Sequence, residues 1–278
     1  MELRFNLFLK EMILFGATMV IGLATAYRYA AISSAWPIIQ APAFSLSDIV
    51  FLSVLIAFFL IVTRFRSLAR YTFWLFLILI ILSGAQIVLG SFILPPWDVL
   101  GSFILLTLFL SWRNVLVHDI TMIIALAGIS AVLGLSITPT VAVAALVVLS
   151  FYDIIAVYKT RHMVQMARSM IQSGAIFGFV IPSDWRSFMT HRGQAQSQIG
   201  DQFMILGSGD IGLPIIFASS VMRQSLIEAA VVAVFAVLGV FVTHLLFANQ
   251  RTRQAMAALP PIATMSLIGY VVALLIFK

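Results

Sequence analysis

The stretch Phe203-Met204-Ile205-Leu206-Gly207-Ser208-Gly209-Asp210-Ile211-Gly212-Leu213-Pro214-Ile215-Ile216-Phe217 places a carboxylate near the start of a long apolar run. The preceding apolar run, Val141–Tyr158, carries a second one, in Tyr152-Asp153, near its end. A charge inside a bilayer costs several kcal/mol even on lenient scales, so each aspartate is a candidate functional residue. Two of them on consecutive runs suggest one shared site.

Composition supports the membrane reading. Of 278 residues, 62% are hydrophobic and 9% charged, against roughly a quarter charged in soluble domains. About 20 apolar residues cross a bilayer. On that measure the chain reads as an all-α polytopic protein with nine transmembrane helices, near Leu9–Tyr27, Ile49–Val62, Phe73–Leu94, Val99–Leu110, Ile120–Ile137, Val141–Tyr158, Phe203–Val221, Leu226–Phe247 and Ala258–Phe277. The whole chain, 1–278, reads as one domain: spans one to six over 1–158, a connection over 159–202, and spans seven to nine over 203–278. Met1–Ala26 has the flanks of a signal peptide, but is read as a retained first span.

Thirteen of the 16 Lys and Arg residues fall on one side of such a topology, Lys10 among them. The positive-inside rule then predicts a cytoplasmic N-terminus and an outside C-terminus in a cell-membrane protein. The net charge of +6 belongs to that asymmetry and does not signal nucleic acid. With no cysteine, disulfides, thiolate metal sites and a cysteine nucleophile are excluded.

Depth links the two aspartates. Asp153 lies about six residues before the basic end of its span and Asp210 about seven residues after the start of its own, or about 9 and 10 Å from the same boundary, so the two are level if the spans are neighbours. Gly207, Gly209 and Pro214 surround Asp210, and small residues let helices approach closely in lipid. Two neighbouring carboxyls in low dielectric share one proton and so supply an acid and a base together. That pair can activate a water against an amide carbonyl without metal or cofactor. A proton- or cation-coupled carrier using the pair as a relay is the alternative.

The motifs resemble those of the GxGD intramembrane aspartyl proteases, the presenilin and signal peptide peptidase family. Tyr152-Asp153 and Gly207-Ser208-Gly209-Asp210 match its two aspartate motifs. Ala257-Ala258-Leu259-Pro260 resembles the Pro-Ala-Leu motif that opens the last span, with Ala257 replacing the first proline. The likeness extends to nine spans with the largest connection between the sixth and seventh, and looks like a compact prokaryotic presenilin-like homologue. It implies a presenilin-like fold, a catalytic pair Asp153 and Asp210, Tyr152 as a shaping neighbour, and Ala257, Ala258, Leu259 and Pro260 bordering the site. It further implies hydrolysis within transmembrane segments of other membrane proteins, no cofactor or metal, and the lipid bilayer as surroundings. A homo-oligomer is left open.

The connection Lys159–Gln202 divides in two. Met163, Met166, Ala167, Met170 and Ile171 recur at helical spacing and predict an amphipathic surface helix. Phe177, Gly178, Phe179, Val180 and Ile181 form a short β-prone run, read as a candidate substrate-pairing strand. Ser183–Gly200 is polar and reads as a mobile stretch. Gln86, in mid-span, predicts an interhelical hydrogen bond, and His244, near a span end, predicts snorkelling toward water.

Overall fold

The computed structural model describes residues 5–35, 66–159, 170–199, 202–248 and 256–277. The second expected span and most of the expected amphipathic helix lie outside these residues. The described chain is mostly helical: α1 (Phe5–Ala35), α2 (Arg66–Phe92), α3 (Trp97–Ser111), α4 (Val115–Ser136), α5 (Pro139–Ile154), α6 (Arg192–Ser197), α7 (Ser208–Met222), α8 (Leu226–Ala248) and α9 (Leu259–Ile276). Two strands, β1 (Gly178–Pro182) and β2 (Phe203–Gly207), form a small antiparallel sheet.

Six of these helices are long and apolar enough to cross a membrane. Helices α3 and α7 have 15 residues each, about 22 Å of helix against a hydrocarbon core of about 30 Å. For α7 the reason is a strand pairing. The seventh expected span, Phe203–Val221, is helical only from Ser208, because the β-prone Phe203–Gly207 pairs with Gly178–Pro182.

Helix α4 is the centre of the bundle, about two-thirds buried, more than any other candidate span among the described residues. It packs on α1, α2 and α7. Its start is set by Asn114, whose side chain accepts from the Val117 amide at 3.0 Å. Close crossings come from small residues: a side chain at Gly84 or Gly128 would strike the backbone of the facing helix, α4 or α2. Gly134 does the same against Ile216 of α7, and Gly239 of α8 against Ile262 of α9.

The expected hydrogen bond of Gln86 is present. Its amide donates to Asp98 Oδ2 at 2.8 Å and its carbonyl accepts from Ser102 at 3.0 Å, tying α2 to α3.

The polar stretch after β1 is ordered, contrary to expectation. A 3₁₀ turn (Trp185–Met189) and α6 cover a second apolar cluster of Val115, Ile176, Val180, Phe188, Ala195 and Phe203. Arg192 anchors this cover: it donates to the Phe109 carbonyl at 3.0 Å and lies 4.1 Å over the Phe109 ring. Burial, with Arg113 nearby, lowers its guanidinium to about 10, so it stays charged at neutral pH.

Candidate active site

Asp153 lies in the last turn of α5 and is 4% exposed. Directly after it the helix widens into a π turn, Ile155–Lys159, a distortion that often accompanies functional sites. Oδ2 of Asp153 accepts from the Leu259 amide at 3.3 Å. Leu259 opens α9, followed by Pro260 and Pro261, which have no N–H. The donor aimed at Asp153 is thus the one free amide of that helix start before Ile262.

Asp210 sits in the first turn of α7, half-buried. A carboxylate there gains from the helix's positive end. The Gly207 backbone amide lies against its carboxyl, and a Cβ on Gly207 would stand 3.2 Å from Oδ2. The first glycine of the motif therefore leaves the carboxyl its room. At Gly209 a Cβ would meet nothing within 4 Å, so the space beside it is open. Asp153 and Asp210 are close enough for their charges to interact, and Glu11 of α1 also acts on Asp210.

The common depth expected for the pair was drawn from two straight helices, which the structure corrects. Five residues before Ser208 are strand, rising about 3.3 Å each instead of 1.5 Å. Asp153 and Asp210 come within electrostatic range because α5 packs on α7 and on α9. Tyr152 and Ser208 flank them: Tyr152 is exposed on α5 and Ser208 half-buried at the start of α7. Ala257 and Leu259 are buried and Ala258 half-buried beside the same corner.

The expected run Phe177–Ile181 is a strand from Gly178, and β1 extends to Pro182, but its surroundings differ from those of a receptive strand. Phe179, Val180 and Ile181 are buried. One edge pairs with β2, in the register Phe179↔Leu206 and Ile181↔Met204. Ladder bonds from Ser208 N–H to the Phe177 carbonyl (3.1 Å) and Ser183 N–H to the Gln202 carbonyl (2.8 Å) extend that alternation. The opposite edge is met by side chains: His118 Nε2 donates to the Gly178 carbonyl at 3.0 Å, Asp119 Oδ1 accepts from Val180 N–H at 2.8 Å, and Lys10 Nζ donates to the Pro182 carbonyl at 2.7 Å. Side chains of α4 and α1 thus occupy the second edge of β1 at Gly178, Val180 and Pro182. On β2 the alternation turns Ile205 outward. Among the described residues its N–H and C=O have no partner, whereas Phe203 N–H donates to Gln198 at 3.3 Å.

Several of these residues escaped the sequence reading. Lys10, taken as a boundary charge, is 1% exposed. His244 does not snorkel: it is buried, with Nδ1 3.0 Å from Glu11 Oε2. The available signal was ionisable residues inside apolar helices, Lys10-Glu11 and His118-Asp119, but only the tertiary fold supplies their partners. Among the described residues, no His, Asp and Glu group is placed to hold a metal.

A family model described as "Signal-peptide peptidase, presenilin aspartyl protease" matches residues 12–278. No curated protein sequence matches the chain. Two solved structures share its fold, each described as a presenilin family intramembrane aspartate protease. The one in space group C222 has 20% identity and a TM-score of 0.60, with 95% of both chains covered. The one in P2 has 21% identity and a TM-score of 0.61, covering 95% of this chain and 96% of the other. The protease reading thereby displaces the carrier. With apolar helices of spanning length and a family match over nearly its full length, the chain belongs to the signal-peptide peptidase and presenilin aspartyl protease family, as a multi-pass intramembrane aspartyl protease.

Proposed function

We propose that Asp153 and Asp210 are the catalytic dyad that hydrolyses peptide bonds within transmembrane segments of other membrane proteins. One observation carries this: the two carboxyls, on different helices, interact at a corner closed by the start of α9. With one proton between them, the ionised carboxyl takes a proton from water as it attacks the amide carbonyl. The protonated one donates to the leaving nitrogen. Leu259 N–H, bonded to Asp153, holds its orientation. Ala257, Ala258, Leu259 and Pro260 border the site, and Tyr152, Gly207, Ser208 and Gly209 shape it.

A substrate helix satisfies its own backbone, so cleavage requires unwinding, and each freed group left unpaired in lipid costs several kcal/mol. The outward N–H and C=O of Ile205 can replace those partners by strand addition. Phe177–Ile181 then serves as the inner strand that supports β2, and the open space at Gly209 admits the substrate backbone. The full topology is nine spans in a single domain in the cell membrane, N-terminus cytoplasmic, supported by the lysine and arginine asymmetry.

The test is direct. Purified protein in liposomes is given a single-span substrate, and the products are mapped by mass spectrometry. Cleavage within the span that is lost in Asp153→Asn and in Asp210→Asn supports the proposal. Near-normal cleavage by either variant overturns it.

A further inference from the structure

We propose that Lys10, His118 and Asp119 are positioning residues that pin the second edge of β1 and so set where along the substrate the chain is cut. This rests on the reading of Asp153 and Asp210 as the dyad and of β2 as the strand that receives substrate.

A strand buried among helices has no water for the edge that faces away from its neighbour, and its backbone groups must still be paired. Here three side chains do this at every second residue, Gly178, Val180 and Pro182, the spacing at which a strand's groups turn to one side. The partners come from two helices: His118 and Asp119 are consecutive on α4, and Lys10 is on α1. All three are at most 1% exposed. Lys10 also donates to the Ser183 carbonyl at 2.7 Å, and its ammonium lies 5.0 Å from the Trp185 ring centroid and 5.7 Å from that of Phe188. An ammonium, an imidazole and a carboxyl cost more to bury than leucines, but leucines would leave these backbone groups unpaired. What they add is direction. Each bond holds one backbone atom of β1 at one height on the bundle, as leucine packing would not.

That height passes to the chemistry. β1 fixes β2 through the ladder, and β2 runs without a break into Ser208 and Asp210. Asp153 hangs from α5 and α9 instead. The caps thus join the sheet that would register the substrate to the bundle that holds the other carboxyl. Without them the sheet can slide relative to Asp153, and a strand paired on β2 reaches the dyad at more than one peptide bond.

The experiment compares the ends of the cleavage products, by mass spectrometry, for the parent, Asp119→Leu, Asp119→Asn and Lys10→Met on one spanning substrate in liposomes. The Asn variant keeps an oxygen for Val180 N–H, whereas Leu does not. The expected result is one dominant cleavage position for the parent and Asp119→Asn. Asp119→Leu and Lys10→Met should spread over neighbouring positions, with the dominant product falling by at least about half. A purely structural role would lower the rate and leave the product ends alone. Unchanged ends in Asp119→Leu and Lys10→Met, at any rate, overturn the proposal, as does equal spreading in Asp119→Asn and Asp119→Leu. If Asp119→Leu cannot be extracted folded, Lys10→Met, of similar length, decides. Failure of the underlying reading looks different: the parent leaves the substrate uncut, or Asp153→Asn still cleaves it.

Discussion

The amide of Leu259 and the carboxylate of Asp153, 106 positions apart in sequence, meet at 3.3 Å where α9 begins beside the end of α5. The two prolines that follow Leu259 withhold their own donors, so this contact is the helix start's directed interaction with the site. Substituting Pro260 by Ala restores an N–H and relaxes the backbone that aims Leu259. We expect cleavage to fall about tenfold, the loss of roughly 1.4 kcal/mol of orientation, while the protein stays folded. A variant with parental kcat and KM would remove Leu259 N–H from the mechanism.

Neutralising either aspartate should abolish hydrolysis without unfolding. Asn matches Asp in size, and burying an amide avoids the cost of burying a charge. Thermal unfolding at or above the parent's temperature, together with no detectable product, is the expected pair of results for Asp153→Asn and Asp210→Asn.

Activity should follow a bell in pH. Acid protonates both carboxyls and removes the base; alkali ionises both and removes the acid. The two limbs belong to the pair, so neither can be assigned to one residue from the profile alone. A rate that stays flat across the range in which the protein remains intact would exclude acid–base work by the dyad.

Proline at two adjacent positions of β2 separates the roles of its edges. At Leu206 it deletes a ladder donor to β1, so the sheet and cleavage of any substrate should both suffer. At Ile205 it removes an outward donor and leaves the ladder bonds. Ile205→Pro should therefore reduce cleavage of a helical spanning substrate at least about tenfold, yet spare a short extended peptide that needs less pairing. Equal effects on the two substrates would count against strand addition.

Gly178 has φ +146°, and a Cβ there would run into the Leu206 carbonyl. Ala at this position is strained in both backbone and space, costing on the order of 1–3 kcal/mol. The expectation is a lower unfolding temperature and weaker cleavage. At Gly209, where nothing lies within 4 Å, Ala should keep the unfolding temperature and raise KM by crowding the substrate.

Much of this was written in the local sequence. Apolar runs bounded by prolines and charges mark most of the helices, because a bilayer tolerates few other patterns. The two aspartates stood out because a carboxylate in such a run is costly enough to need a reason. Gln86, polar in mid-span, announced its hydrogen bond in the same way. Three matters depended on tertiary structure. Phe203–Gly207 is as apolar as a span, and only its pairing with Gly178–Pro182 makes it a strand and shortens α7. β1 was legible as a strand, but not that helices α4 and α1 would occupy its free edge and leave the outward groups of Ile205 on β2. Lys10 and His244 carry polar ends that the sequence assigns to water, and the fold gives them buried partners instead. Periodicity and burial cost act over a few residues and can be read along the chain. Which edge of a strand is filled depends on atoms brought together from 60 to 172 positions away, and only the packed bundle specifies those.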